Sequence, residues 1–107
     1  MVNESRPQNR VYCFDIDNTI CSTSGMDYQE SQPIQARIRK INHLYDLGNT
    51  IVLLTARGSE SGVDWSAVTS AQLASWGLKY HKLVFGKPAA DFYVDDKGIS
   101  SHDFDWE

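Results

Sequence analysis

Asp15 and Asp17 stand one residue apart, at and just after the end of an apolar run, Val11 to Ile16. In an ideal strand such carboxylates point to opposite faces, but a turn that starts at the strand's end aims both at one site. An aspartate is a known phosphoryl acceptor. Its attack on phosphorus gives an aspartyl-phosphate, which divides one difficult displacement into two easier ones. On that chemistry Asp15 is the candidate nucleophile. Asp17 is the candidate general acid/base, protonating the leaving alcohol and then deprotonating the hydrolytic water. An anion that attacks an anion needs positive charge nearby, and Mg²⁺ with oxygen ligands is the usual supply. The candidate ligands are the Asp15 carboxylate, the Asp17 backbone carbonyl and Asp95. Lys87 would neutralise further charge, while the Thr55 hydroxyl and the Ala56 N–H would hold phosphate oxygens.

These residues must be brought together by elements that the sequence also suggests. Val11 to Ile16 and Asn49 to Leu54 read as strands buried on both faces, and Leu83 to Phe85 and Phe92 to Val94 as shorter ones. Between them, Ser31 to Leu47 reads as a helix with Pro33 in its first turn, an apolar face of Ile34, Ile38, Ile41, Leu44 and Tyr45, and Gly48 as its stop. Asp64 to Trp76 reads as a second helix, with Trp65, Val68, Leu73 and Trp76 in one arc and Gly77 after it. Alternating strands and helices imply an α/β fold, with a mainly parallel sheet flanked by helices and ligands gathered beyond the carboxyl ends of the strands. Asp15 and Asp17, Thr55 and Arg57, Lys87, and Asp95 and Asp96 each fall at or after a different strand end. The loop from Ile20 to Glu30 has room for a turn or small hairpin only.

The 107 residues, 41% hydrophobic and 22% charged, suit one globular domain, with a polar segment over residues 1–10 and an acidic, aromatic tail over 100–107. No apolar stretch is long enough to cross a bilayer, and residues 1–10 lack the apolar core of a secretory signal. Two cysteines in unlike settings make no disulfide framework, so a cytoplasmic location is expected. A net charge of −4 argues against nucleic acid as a partner, since phosphate-backbone binding needs clustered Lys and Arg.

The segments Asp15-Ile16-Asp17-Asn18-Thr19, Leu54-Thr55-Ala56-Arg57, Gly86-Lys87-Pro88 and Val94-Asp95-Asp96 together resemble, in order and spacing, the four motifs of haloacid dehalogenase phosphatases. The resemblance spans Val11 to Ile99. It implies a Rossmann-like phosphatase fold, Asp15 as nucleophile, Asp17 as acid/base, Thr55 and Lys87 at the phosphate, and Asp95 as a Mg²⁺ ligand with Asp96 behind it. Asn18 stands where many members carry glycine, and asparagine tolerates the left-handed backbone that glycine supplies. Neither interval where the family inserts a cap domain can hold one. The resemblance therefore implies a capless member, of the kind that either accepts large substrates or assembles so that a neighbouring subunit covers the open site, and a small phosphorylated sugar or related metabolite is the expected substrate. The stretch from Thr55 through Tyr80-His81-Lys82-Leu83 to Asp91 is also similar to small phosphatases of capsule and surface-polysaccharide synthesis.

Other residues admit plainer readings. Arg57 fits either a substrate contact or an ion pair with a surface carboxylate. Cys13 reads as core packing, Cys21 as a residue near the site, and His43, His81 and His102 as surface groups. Trp65 and Trp76 read as core or interface. Met26 and Tyr28 suit either a site rim or a packed loop, while Phe104 and Trp106 suit packing on the domain or on another subunit. Two further functions remain open: a polynucleotide end phosphatase, and a catalytically idle binding or assembly module of the same fold.

Overall fold

The structure, a computed structural model, describes residues 8–107; most of the polar segment 1–10 lies outside it. In chain order the elements are β1 (Val11–Asp15), β2 (Cys21–Ser22), a 3₁₀ turn (Tyr28–Glu30), β3 (Gln32–Pro33), α1 (Gln35–Asp46), β4 (Thr50–Thr55), α2 (Ser66–Ser75) and β5 (Lys82–Phe85). β1, β4 and β5 form a parallel sheet in that order, with Asp15 level with Leu54 and Thr55 level with Phe85. Among the described residues no helix is long and apolar enough to cross a membrane.

The strand order advances in one direction, and right-handed crossovers then put α1 and α2 on the same face of the sheet. Parallel partners share a face, so Tyr12 and Phe14 of β1 lie beside Ile51 and Leu53 of β4, with Leu83 of β5 next to Leu53. That face meets Ile38, Ile41 and Leu44 of α1 and Leu73 of α2 in a single core. Ile41, Ile51, Leu53 and Leu73 are fully buried, and shortening one of them to alanine costs about 2–5 kcal/mol in such a setting. Among the described residues the expected flanking by helices therefore holds for one face only. On the other face Val11 and Cys13 are exposed, which corrects the reading of Cys13 as core.

Local chemistry explains where the elements stop. α1 starts at Gln35 rather than at Ser31 because Gln32 and Pro33 pair antiparallel with Ser22 and Cys21. The loop after β1 is thus a small two-stranded clip, as its length requires. Gly48, at φ 93°, turns the chain out of α1. The buried Asn49 side chain then donates to Leu44 O at 2.9 Å and accepts from Arg10 N at 3.1 Å, tying the helix end to the start of the sheet. His81 extends the β4–β5 ladder, exchanging hydrogen bonds with Ile51 through its own N–H and through its ring Nδ1.

The expected strand at Phe92–Val94 does not form. Phe92 and Val94 are 85% and 94% exposed, and the whole run from Pro88 to Ser100 lies at the surface. The three residues are cut off on their C-terminal side by Asp95, whose carboxylate accepts the backbone N–H groups of Lys97, at 2.8 Å, and of Gly98, closing a local turn. Beyond it the tail returns to the domain. Phe104 meets Tyr12 and Phe14 edge-on, Trp106 lies 5.7 Å from Phe14, and Arg37 of α1 sits 4.8 Å from the Trp106 ring.

Candidate functional site

Parallel register puts the carboxyl ends of β1, β4 and β5 side by side, and three of the candidate residues meet there. Lys87 Nζ lies 3.6 Å from Asp15 Oδ1. The same lysine is anchored by its backbone, donating from N–H to Thr55 O at 3.2 Å and accepting from Ser59 Oγ at 2.7 Å, while its ammonium rests 4.1 Å from the Tyr93 ring centre. Thr55 is buried at the end of β4, and its Oγ1 accepts the Arg57 N–H at 3.0 Å. A hydroxyl that accepts there still has its own hydrogen to donate, and Ala56 follows it half-buried. Burial pushes the Asp15 carboxyl above its ordinary value, opposed first by the Lys87 charge and then by a backbone hydrogen bond at Ile16. Asp15 is thus a partly desolvated carboxylate held beside one cation.

Asp17 has a different setting. Arg57 grips it through a two-pronged contact, Nε to Oδ2 at 3.0 Å and Nη2 to Oδ1 at 2.8 Å, and the Thr23 hydroxyl donates to Oδ1 at 2.6 Å. The turn that aims Asp17 depends on Asn18, whose φ of 60° is left-handed and whose Oδ1 accepts the Thr23 N–H at 3.0 Å. Asparagine therefore does here what glycine would, and it adds a hydrogen bond. Cys21 lies behind this turn, buried, with its Sγ 3.8 Å from Asp17 Oδ1; burial raises its thiol.

Arg57 is the residue whose role the sequence left open. Its side chain is fully buried, and it neither faces solvent nor pairs with a surface carboxylate. Besides Asp17 it donates to Thr69 Oγ1 at 2.9 Å, Gln72 Oε1 at 2.7 Å and Ser31 Oγ at 3.3 Å, and it lies 4.9 Å from the Tyr28 ring centre. Thr69 and Gln72 went unremarked in the sequence. A signal was there: they lie three residues apart, one turn along α2, and Thr69 and Leu73 are that helix's buried residues. A threonine on an inward face implies a polar partner beneath it.

Asp95 and Asp96 do not join this group. Asp95 is fully exposed, and the N–H groups of Gly98 and Lys97 hold its carboxyl below the ordinary range. Among the described residues no three of His, Cys, Asp and Glu gather closely enough to hold a metal ion. The ligand expected from Asp17 is its backbone carbonyl, which the Arg57 grip on the carboxylate leaves untouched, whereas the Asp95 carboxylate is engaged by its own turn. Asp95 is therefore not gathered with Asp15 and Asp17 into the Mg²⁺ site implied by sequence.

A cavity of about 180 Å³ opens between the loops after β4 and β5, with Arg57, Gly58, Asp64, Trp65, Phe85 and Gly86 among its lining residues. Gly58, at φ 80°, is required there, since a Cβ would collide with the Val63 carbonyl. Tyr28 and Trp65 pack edge-to-face with centroids 4.9 Å apart, closing the loop over Arg57.

No family model and no curated protein matches the chain. A solved crystal structure of a genomics target from Vibrio cholerae is similar to it, with 22% sequence identity over 87% of this chain and 85% of that one and a TM-score of 0.79. At that identity the likeness shows a shared fold and says nothing of activity.

Proposed function

We propose that this chain is a phosphomonoester hydrolase of the haloacid dehalogenase type, acting on a small phosphorylated sugar or related metabolite. The observation that carries the reading is the meeting of Asp15, Thr55 and Lys87 from three adjacent strand ends, with Lys87 Nζ 3.6 Å from the Asp15 carboxylate. An Asp15 oxygen attacks phosphorus and the bond to the ester oxygen breaks. Asp17, entering the step protonated, delivers its proton to that oxygen, so a neutral alcohol leaves, an aspartyl-phosphate remains and the Asp17 carboxylate is left paired with Arg57. A water then gives its proton to Asp17 and attacks phosphorus, releasing inorganic phosphate and restoring Asp15. Lys87 and the Thr55 hydroxyl balance charge on the phosphoryl oxygens throughout. The open cavity beside Trp65 and Phe85 gives the leaving group somewhere to sit.

The test is phosphate release from p-nitrophenyl phosphate in Mg²⁺-containing buffer. Turnover by the parent and its loss in Asp15→Asn support the proposal, while equal turnover in the two removes Asp15 as the nucleophile. A second copy covering the open strand ends belongs to the same proposal, and sedimentation as a monomer at every working concentration would remove that part. One observation favours an idle binding module instead: Asp95 and Asp96 stand apart from Asp15. Calorimetry without Mg²⁺ binding, together with no turnover on a phosphoester panel, would select the module.

A further inference from the structure

Arg57 has five N–H donors, and the structure gives each an acceptor: two on Asp17 and one each on Ser31, Thr69 and Gln72. The three acceptors outside Asp17 are neutral, so the whole cage encloses one ion pair. Its walls come from distant parts of the chain, the turn after β1, the residue before β3 and the inner face of α2. The cation is fully buried, and Asp17 is the member of the pair that reaches solvent, with its side chain 20% exposed. The two Asp17 oxygens are also unlike. Oδ1 takes Arg57 Nη2 and the Thr23 hydroxyl, with the Cys21 thiol nearby, whereas Oδ2 takes Arg57 Nε alone.

From this geometry we infer that Arg57 is a positioning residue for the proposed reaction: it fixes the Asp17 carboxylate so that Oδ2, the less occupied oxygen, exchanges the proton with the leaving group. The inference rests on the phosphohydrolase reading. A guanidinium fork sets both the position and the plane of a carboxylate, which a lysine cannot do, because an ammonium is a point charge on a flexible stem. Arg57 makes no hydrogen bond to Asp15, and all five of its donors are engaged within the cage, although the residue also borders the cavity beside Trp65. Gln72 steadies the fork from behind, and its own amide is held in turn by Tyr28 O at 2.6 Å.

The test compares two esters, p-nitrophenyl phosphate, whose leaving group needs no proton, and glycerol 2-phosphate, whose leaving group does. The quantity read is kcat/KM, which reports formation of the aspartyl-phosphate and is blind to its later hydrolysis. Asp17→Asn is expected to lower the alkyl ester by about 100-fold or more, the scale of general acid catalysis, and the aryl ester far less. Arg57→Lys should reproduce that selectivity at roughly a tenfold loss on the alkyl ester, and Gln72→Leu more weakly, all three variants showing native circular dichroism at the assay temperature. The double substitution Arg57→Lys/Asp17→Asn should be no worse on the alkyl ester than Asp17→Asn alone, since residues acting as a unit are not additive. Equal losses on the two esters, or additive losses in the double variant, overturn the assignment and leave Arg57 structural. A raised KM with kcat unchanged makes it a substrate contact instead and also overturns it. If the parent hydrolyses neither ester, the phosphohydrolase reading falls and the inference with it; aryl turnover that depends on Asp15 keeps the two failures distinct.

Discussion

The turn after β1 and the turn after Val94 each hold an aspartate whose carboxylate is hydrogen-bonded, yet the bonds differ in reach. Asp17 is held by Arg57, 40 residues away, and through it by α2 and the segment before β3. Asp95 is held by Lys97 and Gly98 close behind it and, among the described residues, by nothing farther. The first carboxylate is part of the tertiary structure, and the second is an ornament of its own loop. An acidic motif does not declare by itself which kind it is. What decides is whether something buried depends on the charge.

Substitution can break that contrast or sharpen it. The largest effect is expected at Asp17. Asp17→Asn leaves a buried guanidinium without its counter-charge and should lower unfolding stability by about 3–5 kcal/mol. Asp17→Leu/Arg57→Met, which removes both charges, should recover most of the loss in the same denaturant titration. If the single variant is as stable as the parent, the pair is not buried as described.

Next comes Asn18. Asn18→Val forces a branched side chain into a left-handed backbone and should cost about 1–2 kcal/mol, whereas Asn18→Gly should cost less. Equal melting temperatures for the two variants would mean that the turn is not held at positive φ.

A smaller effect, of opposite sign, is expected at Asp15. Burial raises its carboxyl, so the folded chain holds that proton more tightly than the unfolded chain does. Its contribution to stability is fully present below the ordinary carboxylate range and is lost as pH rises through the raised value. Asp15→Asn should therefore melt a few degrees above the parent at pH 7, with the gap closing below about pH 4. A gap that is constant with pH would rule out titration of Asp15 as its cause. The smallest change belongs to Asp95, where Asp95→Ala at a fully exposed turn should leave the denaturation midpoint indistinguishable from the parent's. A loss like that of Asp17→Asn would dissolve the contrast between the two turns.

Much of the scaffold was legible because its signals are local. Ile38, Ile41 and Leu44 repeat at helical spacing and are buried together, Gly48 and Gly77 stop the helices, and the β1 and β4 runs are apolar to the residue before the polar motif begins. The convergence of Asp15, Thr55 and Lys87 followed from parallel topology alone. What escaped depends on partners that periodicity does not register. Among the described residues Phe92–Val94 has strand composition but no neighbouring strand, and Cys13 lies in an apolar run whose outer face no described helix covers. Arg57 looked like a strand-end cation with two uses. Only the inward threonine on α2 betrayed that it is enclosed.

The Asp17–Arg57 contact has a consequence for assembly of the fold. β1 and β4 pair in parallel over five consecutive positions of mostly apolar composition, a pairing with little of its own to penalise a slip by two residues, which keeps every side chain on its proper face. Such a slip would carry Asp17 about two strand residues, roughly 6–7 Å, away from the guanidinium fork. The buried charge would be stranded. The ion pair thus acts as a register check on the sheet, and a chain whose central strands mate out of step cannot also close its polar cage.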